Sequence, residues 1–238
     1  MKFFLLTLSF LLLNPVFGQL EKTKNYKRFD ERKLHFGVLL GSNSANFTAY
    51  PVIDAYEKYG LISLENKSEP GGQIGMITSL KLGHPIVRLR MIPTLSFQER
   101  VLGYYYENPD PLAKKDIYAE ERVNSTNFDL PIMLQFRTLR LNNFASYVLV
   151  GAQYTFDFQS QEKASQSFID PFIKIKANDF QGQVGAGVEF FLPYFKFGME
   201  IKYSQGFSNS FIQDGTPSSK PIDQLFNKVW WFSLTFEG

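Results

Sequence analysis

Apolar and polar residues alternate with a period of two along two arms between residues 179 and 205. In the first arm Phe180, Gly182, Val184, Ala186, Val188 and Phe190 share one face, and Asp179, Gln181, Gln183, Gly185, Gly187 and Glu189 share the other. After a break at Leu192-Pro193-Tyr194 the alternation resumes, with Phe195, Phe197, Met199, Ile201 and Tyr203 set against Lys196, Gly198, Glu200, Lys202 and Ser204. Sustained period-two alternation on both sides of a tight break predicts a β-hairpin. Each arm is about eleven residues, the length of a tilted strand that crosses the hydrocarbon core of a bilayer.

The same pattern recurs six more times, at residues 33–42, 73–82, 86–98, 127–138, 144–158 and 228–236. With the hairpin this makes eight strands, the smallest even number for a single-chain membrane barrel. The connections sort by length. Residues 43–72, 99–126, 159–179 and 206–227 are long, whereas Gly83-His84-Pro85, residues 139–143 and the Leu192-Pro193 break are short. Strict alternation of long and short connections is the habit of outer-membrane barrels, with short turns in the periplasm and long loops outside. A soluble lipocalin-like barrel also alternates, but its solvated face would not be populated by Gly37, Gly41, Gly75, Gly151, Gly185, Gly187 and Gly198. Aromatics gather near the expected strand ends, and Tyr104, Phe191, Tyr194, Phe195, Trp230 and Trp231 are expected in membrane-interface girdles. The pattern thus predicts an all-β fold: an eight-stranded antiparallel up-and-down transmembrane β-barrel whose narrow lumen is filled by side chains. Pro93 and Pro131 fall inside the third and fourth strands and roughly opposite one another. Proline removes a ladder hydrogen bond, so a bulge or weak seam is expected there.

Composition narrows the picture further. The chain has 238 residues, 25 Lys and Arg against 23 Asp and Glu, and no cysteine. A near-neutral balance argues against nucleic acid as a partner, because backbone binding needs a basic surplus. Without cysteine there is no disulfide, thiol catalysis or zinc–thiolate site. Residues 1–18 read as a signal peptide: Lys2 is the positive start, residues 3–13 the apolar stretch, and Val16-Phe17-Gly18 a cleavage site before Gln19. Residues 19–32 are charged and read as a solvated, mobile periplasmic tail, and residues 33–238 as the barrel.

Charged residues on the inward face of a ring this narrow have to pair, because an unpaired buried charge is very costly. Arg88, Arg90, Asp129, Arg137, Glu189, Glu200 and Lys202, with Lys196 beside them, are therefore expected to form a charge network that plugs the lumen. His35 and His84 have no acidic or serine partner at the spacing of a metal site or a triad. Nothing assembles a nucleophile, a base and an orienting group, so neither catalysis nor a metal or other cofactor is expected.

Several short stretches in order along the chain carry a resemblance. They are Glu69-Pro70-Gly71-Gly72, the run Leu95-Ser96-Phe97-Gln98-Glu99-Arg100, Asn142-Asn143, and Leu192-Pro193-Tyr194-Phe195-Lys196-Phe197 followed by Glu200 and Lys202. In these the chain resembles the PorT family of Bacteroidetes. The resemblance implies an outer-membrane barrel tied to the type IX secretion system and, in gliding relatives, to motility. It further implies other secretion subunits as partners beside outer-membrane lipid, and brings no catalytic residues. A second class of function, adhesion or ligand binding, would use the long loops at 43–70 and 100–123. A third, an acyl-transferring barrel enzyme, would need reactive groups at the outer rim.

Overall fold

A computed structural model describes residues 24–26, 29–109, 116–160, 162 and 173–238. The signal peptide expected at 1–18 lies outside them. The first strand, β1 (Leu34–Pro51), is followed by a short helix α1 (Ala55–Tyr59), β2 (Leu61–Ser68) and β3 (Pro70–Lys81). Then come β4 (Val87–Met91), β5 (Thr94–Tyr106), β6 (Ile117–Arg137) and β7 (Phe144–Asp157). The chain ends with β8 (Lys174–Ile175), β9 (Asn178–Phe191), β10 (Lys196–Gly206), β11 (Phe211–Ile212) and β12 (Ile222–Glu237).

The sheet closes on itself. β1 pairs antiparallel with β12 on one side, from Gly37 opposite Glu237 upward, and with β3 on the other, from Leu34 opposite Leu80 to Ser44 opposite Pro70. Because β4 and β5 are two lengths of one strand, the ring runs β1, β3, β4/β5, β6, β7, β9, β10, β12 and back to β1. This is an eight-stranded antiparallel up-and-down barrel. Three short turns lie at one end, two of them using left-handed backbone at Gly83 (φ 72°) and Asn142 (φ 54°). The residues before β1 and the final residues of β12 lie at the same end.

The solvent preference of the side chains is inverted. Phe36, Met76, Val148, Val150, Val184 and Leu234 face outward and are exposed, while Arg88 and Arg90 are wholly buried inside. Alternation with apolar residues outside and polar residues inside is what a lipid surround selects. Every backbone group of a spanning strand then needs a neighbouring strand, which closure supplies.

The ladder beside β6 is interrupted at Ile92 and Pro93. Met91 stands opposite Ile132 and Thr94 opposite Asp129, which puts Pro93 opposite Leu130 and Pro131 opposite Ile92. The two prolines are therefore offset by one position rather than facing each other. The register is the same on both sides, so no residue is inserted, and the irregularity is a gap rather than a bulge. Ile92 N still donates to Pro131 O at 3.2 Å, and Met76 N to Pro93 O at 3.0 Å. Ile92 keeps its inward direction and packs with Leu39 and Ile77.

At the opposite, long-loop end the strands outrun their sequence expectation. Much of the stretch expected as loop at 43–70 is β1 and β2, and much of 100–123 is β5 and β6. β2 pairs with the outer half of β5, from Leu61 opposite Tyr106 to Ser68 opposite Arg100. This extension encloses an apolar core of Phe47, Leu61, Leu102, Tyr104, Ile222 and Leu225, joined by Ile175 of β8 and Phe211 of β11. Strand length was hidden here because inward residues change from polar to apolar, which destroys the alternation. Val150 faces outward midway along β7, opposite Val184. Val150→Arg should destabilise the barrel by about 2–4 kcal/mol, the cost of a cation at the bilayer midplane. Urea unfolding from phospholipid vesicles measures it, and an unchanged midpoint would contradict a lipid-facing position.

Candidate functional site

The lumen at the short-turn end contains a continuous chain of buried ion pairs. Lys202 Nζ lies 3.1 Å from Glu200 Oε2, and Glu200 Oε1 lies 2.5 Å from Arg90 Nη1. Arg90 Nη2 continues to Glu237 Oε1 at 3.3 Å, and the same oxygen lies 3.0 Å from Lys196 Nζ. Lys196 reaches Glu189 Oε2 at 2.8 Å, Glu189 Oε1 lies 3.1 Å from Arg137 Nη1, and Arg137 Nη2 lies 2.5 Å from Asp30 Oδ1. Arg140 Nη1 completes the run 3.8 Å from Asp30 Oδ2. Strand register makes this possible, since Lys196 and Glu237 are direct cross-strand partners with inward side chains. Tyr147 donates its hydroxyl to Glu200 Oε1 at 2.8 Å. Its ring needs the space beside Gly187, where an added Cβ would stand 2.5 Å from the ring.

Of the seven residues expected in one network, Arg90, Arg137, Glu189, Glu200 and Lys202 stand in this chain. Asp129 does not. It occupies a separate nest nearer the long-loop end, accepting from Ser96 Oγ at 2.6 Å, Thr155 Oγ1 at 2.6 Å and Gln153 Nε2 at 2.8 Å. Arg88 is buried but has no acidic partner among the described residues. Glu237, Asp30 and Arg140 were missed. Glu237 was within reach of the pattern, because Trp231, Ser233, Thr235 and Glu237 continue one face of the last strand. Asp30 was not, because the charged stretch before β1 gives no periodic signal.

The tail is not merely solvated. Phe29 is fully buried against Ala145 and Phe191, with Tyr26 packed beside it. Its ring stacks on His35 at 3.7 Å. Asn25 N donates to Asn143 Oδ1 at 2.8 Å, and Asn25 Nδ2 to Phe191 O at 3.2 Å. Residues 24–26 and 29–30 therefore seat in the short-turn end, correcting the expectation of a mobile lead-in there.

The aromatic expectations divide by strand parity. Tyr194, Phe195 and Trp230 are exposed on the outside of the ring. Tyr104, Phe191 and Trp231 are buried inside, and they are not interface anchors. Trp231 donates Nε1–H to Ser204 Oγ at 2.9 Å, Tyr104 donates its hydroxyl to Ser218 O at 3.0 Å, and the Phe191 ring lies 3.8 Å from the Arg140 guanidinium. Each stands one residue from an outward-facing position, and a one-residue step reverses the side.

The stretches behind the family resemblance meet in two places. Glu69, Pro70, Gly71 and Gly72 span the junction of β2 and β3, where Gly72 stands opposite Phe97. Asn43 Nδ2 ties them together, donating to Gly72 O at 3.0 Å and Phe97 O at 3.1 Å. From the same run of β5, Glu99 points outward to Arg122 at 2.8 Å. Arg100 points into the lumen and donates to Ser125 Oγ at 3.1 Å and to Gln98. At the short-turn end Phe191 N donates to Asn143 O at 2.8 Å, which joins the 142–143 and 192–197 turns.

The arrangement pairs buried charges and fills the short-turn end of the lumen. Among the described residues no group of three His, Asp or Glu side chains is placed to hold a metal ion. A mainly apolar groove on the outer face is lined by Val148, Ala186, Val188, Met199 and Ile201 among others.

A family model described as an outer membrane protein beta-barrel domain matches residues 17–212. Among solved structures, OprG from Pseudomonas aeruginosa is similar at 14% identity and a TM-score of 0.49, covering 87% of this chain and 96% of its own. Ail, the attachment invasion locus protein of Yersinia pestis, solved with the heparin analogue sucrose octasulfate, is 10% identical with a TM-score of 0.37. That match covers 87% of this chain and all of Ail. No curated protein matches the chain significantly.

Removing one partner of a buried pair strands the other, at about 3–5 kcal/mol. Glu200→Gln leaves Lys202 unpaired and Arg90 with Glu237 alone, so it should lower unfolding free energy by about that amount. Adding Arg90→Met to that variant should restore part of the loss. Chemical denaturation of the three variants checks both, and full additivity would contradict the pairing.

Proposed function

The chain belongs to the outer membrane protein β-barrel domain family, and from that premise we propose that it is a non-enzymatic component or accessory of a type IX protein secretion system. It sits in an outer membrane with lipid against its apolar outer face. In this reading residues 1–18 direct export, the short turns and residues 19–32 lie in the periplasm, and the long-loop end faces outward. The cell is of the Bacteroidetes type, and in a gliding organism the same role extends to motility.

The observation that carries the reading is where the family-like stretches fall. The 142–143 and 192–197 turns are fastened to each other and to Asn25 at one end, and the 69–72 and 95–100 stretches are clamped by Asn43 on the other side of the ion pairs. A lumen filled by ion pairs leaves the ends, rather than a conduit, as the surfaces that do the work. The short-turn end would dock other secretion subunits. Deleting the gene should block release of type IX cargo while other outer-membrane proteins remain in place; normal release would refute the role.

One observation favours a second reading, an adhesion or ligand-binding barrel. The long-loop end is held rigid by its own apolar core, including Phe47, Leu102, Tyr104 and Leu225, as a recognition platform would be. Exchanging residues 52–60 for those of an unrelated barrel should then abolish surface binding and leave secretion intact. Loss of secretion in that exchange would count against this reading.

A further inference from the structure

Arg88 stands on β4 one inward position from Arg90, and it is fully buried. None of its three side-chain nitrogens has a hydrogen-bond partner among the described residues. Arginine does not give up its proton in proteins, so burial cannot remove this charge. Every carboxylate of the ion-pair chain already faces at least one other cation, although Glu189 Oε2 and Glu237 Oε2 accept no hydrogen bond. Asp30, Glu189, Glu200 and Glu237 are shared among Arg90, Arg137, Arg140, Lys196 and Lys202. With Arg88 added, six cations face four carboxylates at the short-turn end, a local excess of positive charge; the balancing carboxylates Asp129, Asp157 and Asp179 are buried elsewhere in the lumen.

Three polar neighbours of Arg88 are also without hydrogen-bond partners among the described residues. Gln135 is its direct cross-strand partner on β6, and neither amide atom of Gln135 is bonded. On the other side, β3 places Lys81 opposite Arg88 and Ser79 opposite Arg90, and Ser79 stands opposite His35 of β1. The Ser79 hydroxyl and both His35 ring nitrogens are likewise buried without a partner. Phe29 covers the group: its ring is stacked on His35, with the Arg88 guanidinium 5.1 Å and Lys196 Nζ 4.7 Å from its centroid.

A planar guanidinium fork with an amide N–H and a hydroxyl beside it is a donor set matched to a carboxylate or an oxyanion. Water would satisfy the hydrogen bonds but would leave Arg88 without an ion-pair partner. We propose that the short-turn end of the lumen holds a buried binding site for one small carboxylate or oxyanion, built from Arg88, Gln135, Ser79 and His35, with Phe29 of the N-terminal segment as its cover. The site would lend stability by ligand linkage. It does not depend on which function the barrel serves.

The test uses the full mature chain in lipid nanodiscs, with inorganic phosphate and acetate as separate probes against chloride at constant ionic strength. The native chain should show a urea midpoint that rises with one probe and saturates. Saturation by phosphate assigns an oxyanion and saturation by acetate a carboxylate; either result supports the site. Arg88→Met, which replaces a buried cation with an apolar chain of similar length, should lose the response while remaining folded. Gln135→Leu should weaken the apparent affinity at least tenfold, and provides a second check should Arg88→Met fold poorly. An equal response in native and Arg88→Met chains, the signature of general salt exclusion, would overturn the proposal, and so would no response in the native chain.

Discussion

In a bilayer no strand can leave an edge unpaired, because lipid offers its N–H and C=O groups no partner. The pairing of β1 with both β12 and β3 meets that requirement, and much of the remaining structure follows from it. Closing on eight strands fixes a bore only wide enough for side chains. The inward residues of β4, β6, β9, β10 and β12 then stand close enough to touch across the lumen. Charges that would be harmless on a soluble surface have to find partners there, and the chain from Lys202 to Arg140 is the result. The same closure makes the gap at Ile92 and Pro93 tolerable, since the register is unchanged on both sides and β3 holds the backbone from the other flank.

The lumen differs in character along its length. Its short-turn end is a lattice of ion pairs sealed by a segment from outside the barrel, through Phe29 and Asp30. Beyond it lies the nest of Asp129, and at the long-loop end an apolar core takes over, with the buried Arg100 guanidinium 5.2 Å from its Phe47 ring. Each zone solves burial differently: by opposite charge, by hydroxyl and amide donors to a carboxylate, or by packing apolar side chains. The zones also separate the two groups of family-like stretches, which stand on opposite sides of the ion pairs.

Much of this was legible in the sequence where one rule operated alone. Period-two alternation gave the hairpin of β9 and β10, the eight strands and six members of the ion-pair chain, because a lipid face and a polar face differ sharply. It failed where both faces are apolar. Val101, Leu102 and Tyr104 of β5 are all buried, so the strand looked like a loop after residue 98. It failed again for Asn43, Ser44 and Asn46, whose residue types suggest a turn although β1 continues through them. Trp230 and Trp231 show how narrow the margin is, with one ring outward and the next hydrogen-bonded inside. The seating of Phe29 could not be read at all, because it depends on a cavity assembled from strands over a hundred residues away.

The central claim is that the barrel is filled and closed by its own side chains, so it acts through its ends and not as a pore. Planar-bilayer recording of the purified mature chain tests this most directly. The account predicts an electrically silent bilayer, whatever the sign of the applied voltage, after insertion has been confirmed by protease protection. Stable, reproducible single-channel openings from the native chain would contradict it.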